Sequence, residues 1–363
     1  MPHRLMIELD GSFGEGGGQI VRTALALSAF TGEPFVVRDI RRGRSTPGLK
    51  AQHLTSLEAL AKLCGAEVTG AKLGAMELVF RPGKFEPRDL AMDVGTAGSV
   101  TLLMQSLVPP CLCASAPVSI RVIGGTDTKW AMPVDYFASV FAPIIARFGE
   151  IRVEVARRGY YPKGGGEATF SFTPKLHVDG TGGEARKLLH DAGVAPMNFT
   201  EPGRLVEIRG VSHCAGDLFA RKVADRQADA ARRILERIGV PVDIRVEYSP
   251  TFSIGTGITV WTMVERDGVV TPGVAADRLG ERSVRAEDVG RLAAERLTEL
   301  ISSRVPVDVH LADNLVPFAA LVGGAVACEA VSDHVRSNIY VVEKFLPVKF
   351  AVDENTRTYS AHV

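Results

Sequence analysis

Two polar clusters late in the chain carry the side chains best suited to chemistry. They are His310-Leu311-Ala312-Asp313-Asn314 and Ser332-Asp333-His334-Val-Arg336-Ser-Asn338, and each opens an apolar segment. Ser332 is a good N-cap, which puts His334 in the first turn of a helix. The positive helix end disfavours an imidazolium, so the position predicts a neutral His334 near pH 7. Neutral imidazole can attack phosphorus and form a labile P–N bond; a packed structural histidine is the competing reading. Asp313-Asn314 reads as a second helix start, where hydrogen bonding to a base or ribose competes with plain capping.

A third candidate lies near the other end, at Gly14-Glu15-Gly16-Gly17-Gly18-Gln19-Ile-Val-Arg22. The stretch 11–19 follows a strand and precedes a helix, so its free backbone N–H groups could hold an anion. It matches neither the dinucleotide fingerprint nor the P-loop, and a plain tight turn is the alternative. A carboxylate beside a phosphate needs a cation between them, which makes Glu15 a candidate Mg²⁺ or Mn²⁺ ligand. Complementing the helix dipole is its other possible role. Arg38, Arg41, Arg42, Arg44 and Lys50 crowd the turn at Pro47-Gly48, with Gln52 and His53 opening the next helix. Loop arginines suit bidentate phosphate contacts, though a solvated basic face would read the same way. Arg157-Arg158-Gly-Tyr160-Tyr161-Pro-Lys163 is either a strand-binding patch of charge and aromatics or a hairpin turn between 151–155 and 168–172.

The elements that must position these groups recur. A polar or Gly-rich loop opens a helix at 14–30, 95–108 and 313–321. A helix ending at Gly and running into a strand appears at Leu57–Cys64 with Gly65, and at Ala138–Phe148 with Gly149, where Gly suits the left-handed C′ position. The alternation predicts an α/β (α+β) fold of three units, each of roughly 80–100 residues with two helices and several strands. The third unit is interrupted from Arg186 to Ser283 by a strand (205–212), a helix (217–238) and two further strands (242–247, 257–265). The expected organisation is therefore a large domain of residues 1–185 and 284–363 with a smaller α/β domain, 186–283, inserted, and Thr181-Gly-Gly-Glu184 as the entry linker.

Composition narrows the partners. Lys plus Arg equals Asp plus Glu, 42 against 42, so phosphate recognition must come from local patches rather than a general basic surface. The odd number of cysteines, 5, fits a reducing compartment, and no second pair completes Cys111-Leu-Cys113 as a zinc site. Met1-Pro-His-Arg leads straight into the strand-like 5–9, and the apolar run 100–120 is broken by Gln105, Pro109, Pro110 and Pro117. A cytoplasmic protein with no membrane partner is expected.

Read in order, the blocks resemble the RNA 3′-terminal phosphate cyclases nearly end to end. The likeness rests on Asp10-Gly-x-x-Gly14-Glu15-Gly-Gly-Gly-Gln19-Ile-Val-Arg22, Ile40-Arg41-x-Gly43-Arg44-x-x-Pro47-Gly48-Leu and Gln52-His53-Leu. It continues through Gly-Tyr160-Tyr161-Pro162-x-Gly-Gly-Gly, Leu311-Ala-Asp313-Asn314-Leu and His334-x-x-x-Asn338-Ile, ending at Val342-Glu343-Lys344-Phe-Leu-Pro347. The resemblance implies three repeats of two helices on a four-stranded sheet, with a small α/β domain inserted in the third. It also implies ATP-dependent conversion of an RNA 3′-phosphate end to a 2′,3′-cyclic phosphate, releasing AMP and pyrophosphate. By the same resemblance His334 takes AMP, Gln105 and the His310, Leu311, Ala312, Asp313, Asn314 run contact the adenylate, and Glu15 holds the metal. Arg22, Arg41, Arg44, Gln52 and His53 grip phosphates or the RNA end. His310 departs from the family, which often carries tyrosine there. Two rivals remain at this level: a non-catalytic ribosome-assembly relative, which lacks the nucleophilic histidine, and an enolpyruvyl transferase built on a similar unit.

Overall fold

A computed structural model describes residues 6–178 and 182–362. The first unit runs β1 (Ile7–Asp10), α1 (Gln19–Thr31), β2 (Phe35–Arg38), α2 (Ala51–Cys64), β3 (Glu67–Thr69) and β4 (Leu78–Arg81). The second runs β5 (Leu90–Asp93), α3 (Val100–Leu112), β6 (Val118–Gly124), a broken helix, β7 (Gly149–Arg157) and β8 (Gly166–Pro174). That broken helix is α4 (Val134–Tyr136), a π-turn over Phe137–Phe141, then α5 (Ala142–Ile144). Both sheets share one order, β1-β2-β4-β3 and β5-β6-β8-β7, with the first pair parallel and the others antiparallel.

The third unit repeats that plan with one strand reduced. β13 (Gly324–Ala327), β14 (Lys349–Asp353) and β15 (Thr358–His362) form a three-stranded sheet ordered β13-β15-β14. In the place of the first strand, Phe199 makes a single parallel bridge to Val326, its N–H donating to Ala325 O at 2.8 Å. The fold class is mixed α/β as expected, but the third sheet is four-stranded only if that bridge is counted. The segment is short because the chain leaves it at once for the interrupting unit.

That unit comprises β9 (Arg204–Ala215), α7 (Val223–Leu235), β10 (Val242–Ser249), β11 (Thr256–Arg266), β12 (Val269–Leu279) and α8 (Ala286–Ser302). Its sheet runs β10-β9-β11-β12, an order unlike the three repeats. It owns a separate core: Ile208, Ala228, Leu235, Ile258 and Val260 pack with Val289, Ala293, Leu297 and Val305. Core membership distributes the flanking elements on either side of the expected bounds, 186–283. α6 (Gly182–Asp191) lies with the main core through Ala185 and Leu189, as do Met197 and Phe199. At the other end α8, expected in the large domain, closes the second core with α7. An amphipathic helix goes with whichever apolar face it covers, and periodicity alone does not say which that is. Of the expected linker, Thr181 lies outside the described residues and Gly182–Glu184 begin α6.

The third unit resumes with α9 (Val309–Val322) and, between β13 and β14, α10 (Asp333–Phe345). Helices α1, α3, α9 and α10 pack against one another in a single core with Ile20, Leu25, Met104, Leu315 and Val342 buried. Gly65 ends α2 at φ 55°, as expected of a left-handed C′ residue. Gly149 does not play that part. It begins β7, where an added Cβ would lie 2.6 Å from Thr173 O, so close backbone approach excludes a side chain there.

Candidate active site

The nucleophile candidate sits as its N-cap predicts. Ser332 Oγ accepts from Val335 N at 3.3 Å, and His334 occupies the first turn of α10, its side chain 47% exposed. The other helix start differs from expectation. Asp308 caps α9, accepting from His310 N at 3.0 Å and Leu311 N at 3.1 Å, so Asp313 and Asn314 lie in the second turn and cap nothing. Freed from capping, Asp313 faces the imidazole, with Oδ2 3.6 Å from Nδ1 of His334. Across the ring, Nε2 lies 3.9 Å from Glu15 Oε2.

These two carboxylates work against the neutral imidazole that the helix end favours. The His334 pKa is raised above its usual value, first by Asp313 as an acceptor for the ring; burial opposes this, while the charges of Asp313 and Glu15 reinforce it. Arg22 pulls the other way.

A continuous hydrogen-bonded chain ties the remaining groups together. Arg22 on α1 donates from Nε to Gln105 Oε1 on α3 at 3.0 Å, and from Nη2 to Gln19 Oε1 at 2.8 Å. Gln19 Nε2 donates to Asn338 Oδ1 at 3.0 Å, and Asn338 Nδ2 to the carbonyl of Asp313 at 2.6 Å. The chain thus joins helices from all three units. Burial lowers the Arg22 pKa to about 10, with Asp313 opposing, so it stays cationic at neutral pH. Gln19 and Asn338 were visible as motif letters; their role as connectors was not.

The glycine loop ends where α1 begins, at Gln19. Its first turn carries no acidic residue, which removes the dipole reading of Glu15. Glu15 instead pairs with Arg44. His53, in the first turn of α2, accepts from Lys50 N at Nδ1 (3.0 Å) and lays its ring edge against Gly18, where a Cβ would clash. Burial lowers its pKa to about 3, and its Nε2 is buried without a hydrogen-bond partner beside the start of α1. A neutral ring with Nδ1 accepting carries its proton on Nε2, a donor aimed at the glycine loop. Gln52 is half-buried one residue before it.

Some expected contacts are placed elsewhere. Arg41 turns back on its own loop, donating to Thr46 O at 2.6 Å. Leu311 and Ala312 point into the core, 1% and 0% exposed, so their side chains do not face the site. The Arg157–Lys163 segment runs from the end of β7 into the hairpin loop before β8, and Arg158 is buried rather than part of a basic patch.

Arg158 instead fills an anionic cage that the sequence reading missed. Its Nη1 lies 2.7 Å from Asp135 Oδ2 and 3.3 Å from Asp127 Oδ2, and its Nη2 lies 2.6 Å from Glu247 Oε2 on β10. His213 Nε2 sits 3.3 Å from Asp127 Oδ1, and His213 Nδ1 is 2.7 Å from the Tyr160 hydroxyl. Asp127, Asp135 and His213 are close enough to share a metal ion, but the guanidinium already supplies the cation, so we read the cluster as an ion-pair lock. An aspartate in the apolar 134–141 run was the available sequence signal.

The glycine loop, the histidine between two carboxylates and the Arg22 chain thus meet at one place built from all three repeats. A family model described as RNA 3′-terminal phosphate cyclase matches residues 13–352. The RNA 3′-terminal phosphate cyclase of Archaeoglobus fulgidus is 42% identical over 345 residues, covering 94% of this chain and 96% of that one. Those of Methanopyrus kandleri (40% over 356 residues, 96% of this chain and 95% of that one) and Methanosarcina mazei (41% over 362 residues, 99% and 100%) are similarly close. The chain belongs to the RNA 3′-terminal phosphate cyclase family. Among the described residues no helix is long and apolar enough to cross a membrane, and all 5 cysteines are free and buried.

Proposed function

We propose that the protein cyclises the 3′-terminal phosphate of an RNA at the expense of ATP, through a histidyl-AMP and then an RNA-adenylate. The observation that carries this reading is His334, its Nδ1 facing Asp313 and its Nε2 turned toward Glu15. A carboxylate at Nδ1 holds the tautomer in which Nε2 keeps its lone pair. Nε2 then attacks the α-phosphorus of ATP, forming a P–N bond as the bond to the β-phosphate oxygen breaks and pyrophosphate leaves. An oxygen of the RNA terminal phosphate next attacks the same phosphorus and releases His334. The neighbouring 2′-hydroxyl, already held within reach, attacks the terminal phosphorus, loses its proton and expels AMP.

Glu15 would hold a divalent cation, since such ions need only one or two protein carboxylates; Mg²⁺ or Mn²⁺ there would screen phosphate charge from Glu15. Arg22, Arg44 and the Nε2–H of His53 surround the glycine loop with donors for phosphate, and Gln105, His310, Asp313 and Asn314 border the adenylate. Free, buried cysteines suit the cytoplasm, where we place the reaction.

The test is incubation with α-labelled ATP and Mg²⁺, wild type beside His334→Ala, followed by RNA ending in a 3′-phosphate. Acid-labile, alkali-stable label on wild type alone, discharged by the RNA into a cyclic end, is the expected result. A folded wild type that takes no label at any metal or ATP concentration would point to the non-catalytic assembly role instead.

A further inference from the structure

The inserted unit reaches the head of α9 through one strand. Asp308 Oδ2 accepts from Ala275 N of β12 at 2.9 Å, while its Oδ1 takes the Tyr136 hydroxyl at 2.6 Å and caps the helix. Two residues along, on the same face of the strand, Asp277 places Oδ1 3.7 Å from Nε2 of His310. Further on, Lys129 and Glu281 pair at 3.0 Å. The His310 ring also meets Tyr136 edge-on, with centroids 5.7 Å apart and planes at 78°. It is nonetheless 46% exposed, one helical turn from Asp313 and Asn314, whose Nδ2 donates to the His310 carbonyl at 2.7 Å.

We propose that Asp277 is a positioning residue for His310. By drawing the ring proton to Nε2, it leaves Nδ1 as a bare acceptor at the nucleotide, which favours a base edge carrying an amino group over one carrying a carbonyl. The inserted unit thereby sets the base preference of a site built by the three repeats. This rests on the reading above, in which the 310–314 run holds the adenylate.

The chemistry follows from the two ring nitrogens. An imidazole facing a carboxylate at one nitrogen carries its proton there, and the other nitrogen accepts. Adenine offers a donor at its 6-position where guanine offers an acceptor. An acceptor opposite the guanine carbonyl leaves two lone pairs facing each other and unpaired, and such mismatches discriminate strongly. Asp277 suits the task because it is itself mostly buried, 21% exposed, and lies near the carboxylates of Asp308 and Asp127. Burial and those neighbours raise its pKa while His310 opposes, so the imidazole is the partner that favours its ionised form.

The experiment has two independent readouts on wild type, Asp277→Ala, the near-isosteric Asp277→Asn and His310→Ala. Nitrogen-15 spectra of the imidazoles, with His310→Ala to assign the signal, should show His310 protonated at Nε2 in wild type and as a mixture of tautomers in Asp277→Ala. Calorimetric binding of ATP and GTP should show the ATP preference falling about tenfold in Asp277→Ala and no further when His310→Ala is added, the signature of residues acting as a unit. An unchanged tautomer, or equal losses for ATP and GTP in both Asp277 variants, would overturn the proposal. If the tautomer shifts while wild type binds neither nucleotide, the positioning role stands and the adenylate reading fails.

Discussion

His334 and His213 are both histidines flanked by two carboxylates, yet they are opposite devices. His334 is half-exposed at a helix start, and Asp313 and Glu15 raise its pKa. His213 is 1% exposed in the lock between the second unit and the inserted one, and burial first, then Arg158, lowers its pKa to about 3 against the pull of Asp135 and Glu247. The neighbours are alike in type; solvent and one guanidinium decide the outcome. Around His213 the negative charge is already spent on Arg158, so the imidazole stays neutral and serves as a hydrogen-bonding strut. At His334 no buried cation among the described residues is paired directly with the carboxylates: Arg44 meets Glu15 at the surface, and Arg22, though buried near Asp313, gives its hydrogen bonds to glutamines. Proximity of acids to a histidine therefore marks a reactive centre only where water and substrate can enter and no buried cation is paired directly with the acids.

The largest expected effect separates the two centres outright. His334→Ala should reduce ATP-dependent labelling more than about 10³-fold with an unchanged unfolding midpoint, whereas a folded His213→Ala should still take label. Arg158→Met should invert that pattern. Removing the cation strands Asp127 and Asp135, at a cost of about 3–5 kcal/mol in denaturant unfolding, while the folded fraction still labels. Loss of labelling per folded molecule in Arg158→Met would make the lock part of the active site and dissolve the contrast.

Titration sharpens the comparison further. The nucleophile must be unprotonated, so adenylylation should fall as the pH drops through the raised His334 pKa. Asp313→Asn removes the largest raising influence, and its acidic limb should move to lower pH. His213 works in the other sense. Its folded pKa of about 3 lies below the unfolded value, so the unfolded chain binds more protons, and its contribution to stability is complete above the unfolded pKa and lost as pH falls from there toward 3. Buried His53, also held at about 3, adds to the same slope. Unfolding from pH 8 to pH 5 should show stability falling by up to about 1.4 kcal/mol per pH unit for each such group, and a folded His213→Asn should flatten it. The smallest expected change is Glu15→Ala, which should raise the Mg²⁺ concentration needed for half-maximal labelling more than it weakens RNA binding. An unchanged metal titration would leave Glu15 as no more than the partner of Arg44.

Much of this architecture is legible in the sequence. The loop-then-helix recurrence marked α1, α3 and α9, and Ser332 placed His334 in its first turn because an N-cap is a local signal. What escaped was long-range. Asp308, not Asp313, starts α9, since an aspartate outside the apolar run caps as well as one inside it. β12 was passed over because Val269–Leu279, with Gly and Pro in its middle, reads poorly as a strand until β11 pairs with it.

The sequence by itself determined the repeat, the element types and the residues able to do phosphate chemistry, because periodicity, caps and motif spacing act over a few residues. Only the tertiary structure decided which charges meet. Arg157 and Arg158 are neighbours in the chain, yet one lies at the edge of a hairpin and the other is sealed among three carboxylates, one of them from the inserted unit. Asp313 and Glu15 are 298 positions apart and flank one imidazole. The charge and reactivity of a side chain depend on the nearest few ångströms, and in this fold those are supplied by helices from different repeats.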